Sequence, residues 1–236
     1  SIEQKSVVIT SAVRTAVGKF NGSLKNMQGH DLGSIVVKDA MKKSKLKSSN
    51  VDELIIGQVL TGGAGQNPAR QSAIQAGLPI DKTAYVINQV CGSGLRSVAA
   101  GYQAIMCSDA NIIVAGGQES MSNAPFTISK KLVISNKQKL IKFTKLKVLD
   151  DTMLKDGLWD AFNDYYMGVT AENVANKWQI TRNDQDTFAS LSQTKTAIAQ
   201  KGGKFVNEIV PVVLKSKKSK KIFKVDEHPR SGMTME

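Results

Sequence analysis

The chain has 236 residues but only two cysteines, Cys91 and Cys107, and two histidines, His30 and His228. Cys91 stands in NQVCGSGLRS (88–97), followed at once by Gly92, Ser93 and Gly94. A thiol in such company suits nucleophilic attack on an acyl group. The thiolate is the attacking form, and neighbours without a Cβ let a bulky acyl carrier approach the backbone. A strand-like run, TAYVINQV (83–90), leads straight into Cys91, and a helix-like run, GLRSVAAGYQAIMCS (94–108), follows it. The sulfur therefore falls at a strand-to-helix junction. There it meets unpaired N–H groups and the positive end of the helix dipole, both of which favour an anion. The competing reading is a small buried hydrophobe, common for cysteine. Spacing alone does not separate the two. Cys107, inside the following helix, reads as structural.

Other chemical motifs fail. GSGLRS is not a dinucleotide fingerprint, because Ser97 occupies the third glycine position. TGGAGQNPAR (61–70) is glycine-rich but lacks the Gly-Lys-Ser/Thr of a phosphate loop. No Cys/His spacing suits zinc, so no metal site is expected. Nothing in the spacing supports pairing Cys91 with His30 or His228.

The elements that must hold Cys91 alternate in type. SVVITSAV (6–13), ELIIGQVL (53–60), TAYVINQV and NIIVAGG (111–117) read as strands. DLGSIVVKDAMKKS (31–44) is amphipathic, with Asp31 as expected N-cap. NPARQSAIQAG (67–77) has Asn67, Pro68 and Gly77 in the order of cap, first turn and stop. The alternation predicts an α/β fold with a largely parallel sheet. Beyond residue 121 the character changes. A Lys-rich, weakly patterned stretch runs to Asp151. One helix is then expected to start near Thr170, and another to be capped by Thr181 and to run to about Gln200. VNEIVPVVL (206–214) reads as a strand that Pro211 confines to an edge.

Composition sets outer bounds. With 41% hydrophobic and 22% charged residues, the chain is neither a disordered nor a membrane class. No apolar run approaches the roughly 20 residues needed to span a bilayer. The N-terminus, SIEQKSVVIT, lacks a signal-peptide pattern, which predicts a cytoplasmic protein with two free thiols. The net charge of +12 concentrates in Lys130–Lys147 and Lys215–Lys224. It reads as a solvated surface, as attraction to a polyanionic small molecule, or as a nucleic-acid patch. The last is weakest, because the clusters lack interleaved aromatics for base stacking.

Six segments in order then carry a family likeness: GQNPARQ (65–71), NQVCGSGLRSV (88–98), AGGQESMSNAP (115–125), LKDGLWDAF (154–162), MGVTAENVA (167–175) and DEHPR (226–230). Over nearly its whole length the chain resembles the thiolases, specifically the acetyl-CoA acetyltransferase branch. The resemblance implies a thiolase-like N-terminal α/β half over 1–121 and an incomplete, CoA-covering loop domain over 122–236. The C-terminal half would be absent, since neither a Gly-His-Pro nor a Cys-x-Gly segment occurs. It implies that Cys91 is the nucleophile, that Met167 lines the acyl pocket, and that Leu158 and Arg230 contact CoA. Acetyl-CoA and acetoacetyl-CoA would be the partners, with no permanently bound cofactor, no nucleic acid and no membrane, in a homo-oligomer when complete. Unaided, Met167 reads as core filler and Arg230 as a surface charge.

This sequence departs from the branch at Tyr166, where histidine is usual, which bears on pocket polarity and acyl length. A 3-ketoacyl-CoA thiolase of broader chain length is the neighbouring alternative. A catalytically inactive fragment is another, since general acid–base groups typically supply about 10²–10⁴-fold. A basic binding module is the remaining one.

Overall fold

The computed structural model describes residues 6–130, 149–215 and 220–234. Lys131, Lys137, Lys139, Lys142, Lys145, Lys147, Lys217 and Lys218 of the two lysine clusters lie outside the described residues. The strands are β1 (Arg14–Thr15), β2 (Glu53–Gly57), β3 (Thr83–Ile87), β4 (Ile113–Gly117), β5 (Phe126–Thr127), β6 (Asp150–Asp151), β7 (Trp159–Asp160), β8 (Tyr165–Tyr166), β9 (Ile209–Val210), β10 (Val212–Lys215) and β11 (Lys220–Phe223). The helices are α1 (Gly29–Lys43), α2 (Pro68–Ala76), α3 (Ser93–Met106), α4 (Met167–Trp178) and α5 (Arg182–Lys201).

A parallel three-stranded sheet in the order β3-β2-β4 forms the centre. Gly57 pairs with Ile87 on one side and Gly117 on the other, so the three strands end level. The central strand is covered on both faces, which explains its unbroken apolar run Leu54–Ile56. Side chains alternate along a strand. Leu54 and Ile56 join Val37, Met41, Ala69 and Ala73 in the core beneath α1 and α2. Ile55 and Gly57 share the other face, against which α3 packs. The buried residues of α3 are all small: Ser93, Ser97 and Gly101. The Ser97 hydroxyl lies 2.7 Å from the carbonyls of both Gly94 and Gly116. The opposite side of α3 is apolar and exposed, with Leu95 78% accessible and Val98, Tyr102 and Met106 also open.

A second core ties the late chain to the early one. Val212 and Phe223 pack with Ala16 and Leu24, β9 pairs in parallel with β1, and β10 and β11 form an antiparallel pair. The Arg14 guanidinium bonds both Asp226 oxygens, at 2.7 and 3.0 Å, and Glu208 at 2.6 Å. These carboxylates hold Arg14 firmly protonated, while the Arg14 hydrogen bonds hold Asp226 below the usual carboxylate range.

Several expectations are corrected. The run 6–13 forms no strand; Val8 and Ile9 are 70% and 78% exposed, with no ladder partner among the described residues. Helix α1 is capped at Gln28 rather than Asp31, and Asp31 acts from the third helical position, accepting the Gln28 N–H at 3.0 Å. Strand β3 stops at Ile87, because the next three residues turn. Helix α4 starts at Met167, three residues before Thr170. Pro211, which lacks an N–H, divides 206–214 into β9 and β10. The caps of α2 (Asn67, Gly77) and α5 (Thr181, with Asp184) are as expected.

Candidate active site

Strand β3 ends at Ile87 and α3 begins at Ser93, so the five residues from Asn88 to Gly92 make the turn that carries Cys91. Asn88 Oδ1 accepts the Val90 N–H at 2.9 Å. Ser93 Oγ accepts the Gln89 N–H at 2.9 Å and donates to the Val90 carbonyl at 2.6 Å. Between these two clamps Val90 adopts φ +49°. A β-branched residue in that left-handed region costs about 1–2 kcal/mol, so the fixed contacts around it must hold it there. The turn thus resembles other sharp strand-to-helix turns that lift a nucleophile clear of its sheet. Cys91 is exposed and unpaired by disulfide, immediately before the helix N-cap, Gly92. The reading of Cys91 as a buried hydrophobe is excluded.

The glycines divide their labour. A Cβ on Gly57 would collide with the Ser93 carbonyl carbon and come 2.5 Å from the Gly94 nitrogen. Only a bare strand end lets α3 sit so low. Gly94, in contrast, faces open space; a Cβ there would touch nothing within 4 Å. That gap leaves room for a group approaching the helix start.

Glu119 shapes the neighbouring loop. Its carboxylate accepts the N–H groups of Val59 and Leu60, at 2.9 and 3.2 Å, and burial pushes its proton affinity up. Beside it, Ser72 donates to Gln118 at 2.6 Å, Gln118 donates to Gln58 at 2.9 Å, and Gln58 donates to the Leu60 carbonyl at 2.9 Å. Gly33 makes room for this amide chain, since a Cβ would overlap the Gln118 carboxamide. The sequence reading missed Asn88, Ser93, Gln118 and Glu119. Only the polar residues flanking Cys91 and the Gln-Glu pair after β4 hinted at them.

The remaining candidates fall elsewhere. Leu158 and Met167 flank the β7–β8 hairpin, whose register pairs Trp159 with Tyr166 at its open end. Leu158 and Met167 are both more than a third exposed, which excludes core filler for Met167. The Trp159 and Tyr166 rings meet edge to face, 4.5 Å between centroids. Gly157 lies against Leu60, where a Cβ would be 3.8 Å from Cδ2. This brings the turn before Leu158 to the loop that follows β2. Arg230 is exposed, with its backbone N–H bound to Gln193 of α5 at 2.7 Å. Among the described residues, no hydrogen bond or ion pair joins the Cys91 side chain to Leu158, Met167, Arg230, His30 or His228. Cys107 is not inside α3 but is its exposed C-cap. Among the described residues no group of His, Cys, Asp and Glu could hold a metal, and no helix is long and apolar enough to cross a membrane.

A free thiol raised on a strand–turn–helix at the C-terminal edge of a parallel sheet is sterically open to an incoming electrophile. The chain matches the thiolase N-terminal domain over residues 7–236 and belongs to the thiolase family. It is 55% identical over 229 residues to an acetyl-CoA acetyltransferase of Paracoccus denitrificans, covering 97% of this chain and 56% of that protein. An acetyl-CoA acetyltransferase of Rhizobium meliloti is 51% identical over 231 residues, with 98% and 57% covered. Among solved structures, the Bacillus anthracis acetyl-CoA acetyltransferase superposes with a TM-score of 0.88 at 34% identity, over 97% of this chain and 56% of that one. The chain thus spans a little over half the length of these relatives, and its fold is that of the matched part of a thiolase.

Proposed function

We propose that the chain forms the nucleophile-bearing part of an acetyl-CoA C-acetyltransferase. The single observation that carries this reading is the exposed Cys91 thiol at the start of α3, within a family match over 7–236. The Cys91 sulfur attacks the carbonyl carbon of acetyl-CoA. A new S–C bond forms, the C–S bond to CoA breaks, and CoA leaves as a thiolate that takes up a proton. A second acetyl-CoA loses a methyl proton to a base, and its carbanion attacks the Cys91 thioester. The C–S bond to Cys91 then breaks, releasing acetoacetyl-CoA and regenerating the thiolate. The base and the activating histidine of the family pattern belong to Cys-x-Gly and Gly-His-Pro segments, neither of which occurs in these 236 residues.

In this reading residues 1–121 make the nucleophile half and 122–236 the loop region that covers CoA. Leu158 and Met167, at the open end of the β7–β8 hairpin, contact the pantetheine and acyl parts. Arg230 takes the nucleotide end, where a guanidinium can pair with phosphate and stack on the base. CoA thioesters are substrates rather than resident cofactors. The cytoplasm, where thiols stay reduced, is the expected compartment, and the functional unit is a homo-oligomer. The test is incubation with acetyl-CoA labelled in the acetyl group, followed by peptide mapping. Label on Cys91 supports the reading. Absence of label from Cys91, even when the downstream segments are supplied, overturns it.

A further inference from the structure

We propose that Asn88 and Ser93 are positioning residues for the Cys91 thiol, acting by fixing Val90 in its left-handed conformation. The inference rests on the reading of Cys91 as acyl acceptor and deepens it. Three hydrogen bonds surround the residue before the cysteine. Asn88 Oδ1 holds the Val90 N–H at 2.9 Å, and Ser93 Oγ holds the Val90 carbonyl at 2.6 Å and the Gln89 N–H at 2.9 Å. Val90 thus has both of its peptide groups gripped by side chains from opposite ends of the turn, at φ +49°.

The grips are themselves anchored. Ser93 is 4% exposed and sits over Gly57, whose missing Cβ admits it. Asn88 Nδ2 donates to the Val59 carbonyl at 3.4 Å, and the Val59 N–H is held by Glu119 at 2.9 Å. The path from β4 through Glu119, Val59 and Asn88 to Val90 is therefore continuous. A valine released from these bonds relaxes to negative φ, where its side chain is unhindered, and the following Cα–Cβ bond swings away from the helix start. The nucleophile is aimed by its neighbours' amide and hydroxyl rather than by a contact of its own.

The test uses the full chain and reads iodoacetamide labelling at Cys91 relative to Cys107 by peptide mass spectrometry. Cys107, exposed at the other end of α3, is the internal reference for folding and access. Asn88→Ala and Ser93→Ala are each expected to lower the Cys91/Cys107 labelling ratio about fivefold, the equivalent of one lost hydrogen bond. Asn88→Asp keeps an oxygen acceptor for the Val90 N–H but loses the donation to the Val59 carbonyl, so its ratio is expected to lie above that of Asn88→Ala and below that of wild type. Adding Val90→Gly to Asn88→Ala is expected to restore most of the ratio, because glycine takes positive φ without being held. A merely structural Asn88 would show no such rescue. Unchanged ratios in both alanine variants, or failure of both Asn88→Asp and the Val90→Gly addition to raise the ratio above that of Asn88→Ala, overturn the inference. Selective labelling of Cys91 without acetyl uptake from acetyl-CoA, with the downstream segments supplied, sinks the proposed function and leaves the positioning role standing. Acetyl uptake with unchanged ratios does the reverse.

Discussion

Gly57, the last residue of the central strand, and Gly94, in the first turn of the Cys91 helix, meet backbone to backbone. A methyl group on Gly57 would come within 2.5 Å of the Gly94 nitrogen. Neither backbone has slack, since Gly57 is laddered on both sides. Gly57→Ala is therefore expected to destabilise the fold by about 1–3 kcal/mol, as overpacking does, and to displace the turn that carries Cys91. Urea unfolding measures the first effect and the labelling ratio at Cys91 the second. A variant with wild-type stability would contradict the contact.

Gly94→Ala separates fold from chemistry. The added methyl meets no atom within 4 Å, and alanine improves a helix by about 0.5–1 kcal/mol over glycine. Thermal denaturation should show a variant as stable as wild type or slightly more so. Acetyl transfer to Cys91 should nevertheless fall, because the methyl projects into the space left for the incoming group. Retention of full transfer would move the approach path elsewhere.

Cys91→Ala should abolish acetyl incorporation without loss of stability, since the exposed sulfur contributes little packing. Cys107→Ser should leave incorporation unchanged. Intact-mass spectrometry after incubation with acetyl-CoA distinguishes the two. Equal incorporation in both variants would remove Cys91 from its role.

Acid stability follows from carboxylates of opposite habit. The Arg14 hydrogen bonds lower Asp226, the Ser23 hydroxyl lowers Glu227, and the Asn111 and Ile112 N–H groups lower Asp52. A lowered acid stabilises the fold above its ordinary value, 3.8 for aspartate and 4.5 for glutamate, and the gain is lost as pH falls through the folded value. Glu119 runs the other way. Burial raises it above its ordinary 4.5, so its contribution favours the fold at low pH and fades as pH rises through the folded value. Urea midpoints should hold or rise slightly from about pH 7 to 5 and drop by about pH 3. Asp226→Asn should cost about 2 kcal/mol at neutral pH and flatten the acid loss, while Glu119→Gln should flatten the shallow rise. A monotonic fall from neutral pH would contradict the assignment to Glu119.

What the sequence made legible was local. Asn67, Pro68 and Gly77 announce α2, and Thr181 with Asp184 announces α5, because a cap is written within four residues. Cys91 among glycines at a strand–helix junction was readable for the same reason. What depends on distant partners was not. SVVITSAV has the composition of a strand but finds no ladder among the described residues, because strand formation needs a neighbour that composition does not supply. The left-handed Val90 goes against its side chain's preference, and only the bonds from Asn88 and Ser93 explain it. Glu119 and Gln118 look like ordinary surface polar residues until β2 and α2 close around them.

The Arg14–Asp226 bridge joins residues 212 positions apart, whereas the β3-β2-β4 sheet and its helices are complete by residue 117. On a ribosome the central layer could therefore form while the opening residues still wait for their counterparts, which are translated at about 5–20 residues per second. During that interval Arg14, Ala16 and Leu24 lack the carboxylate and core partners that the late chain supplies, and the cell's proteases and chaperones would meet them in that state.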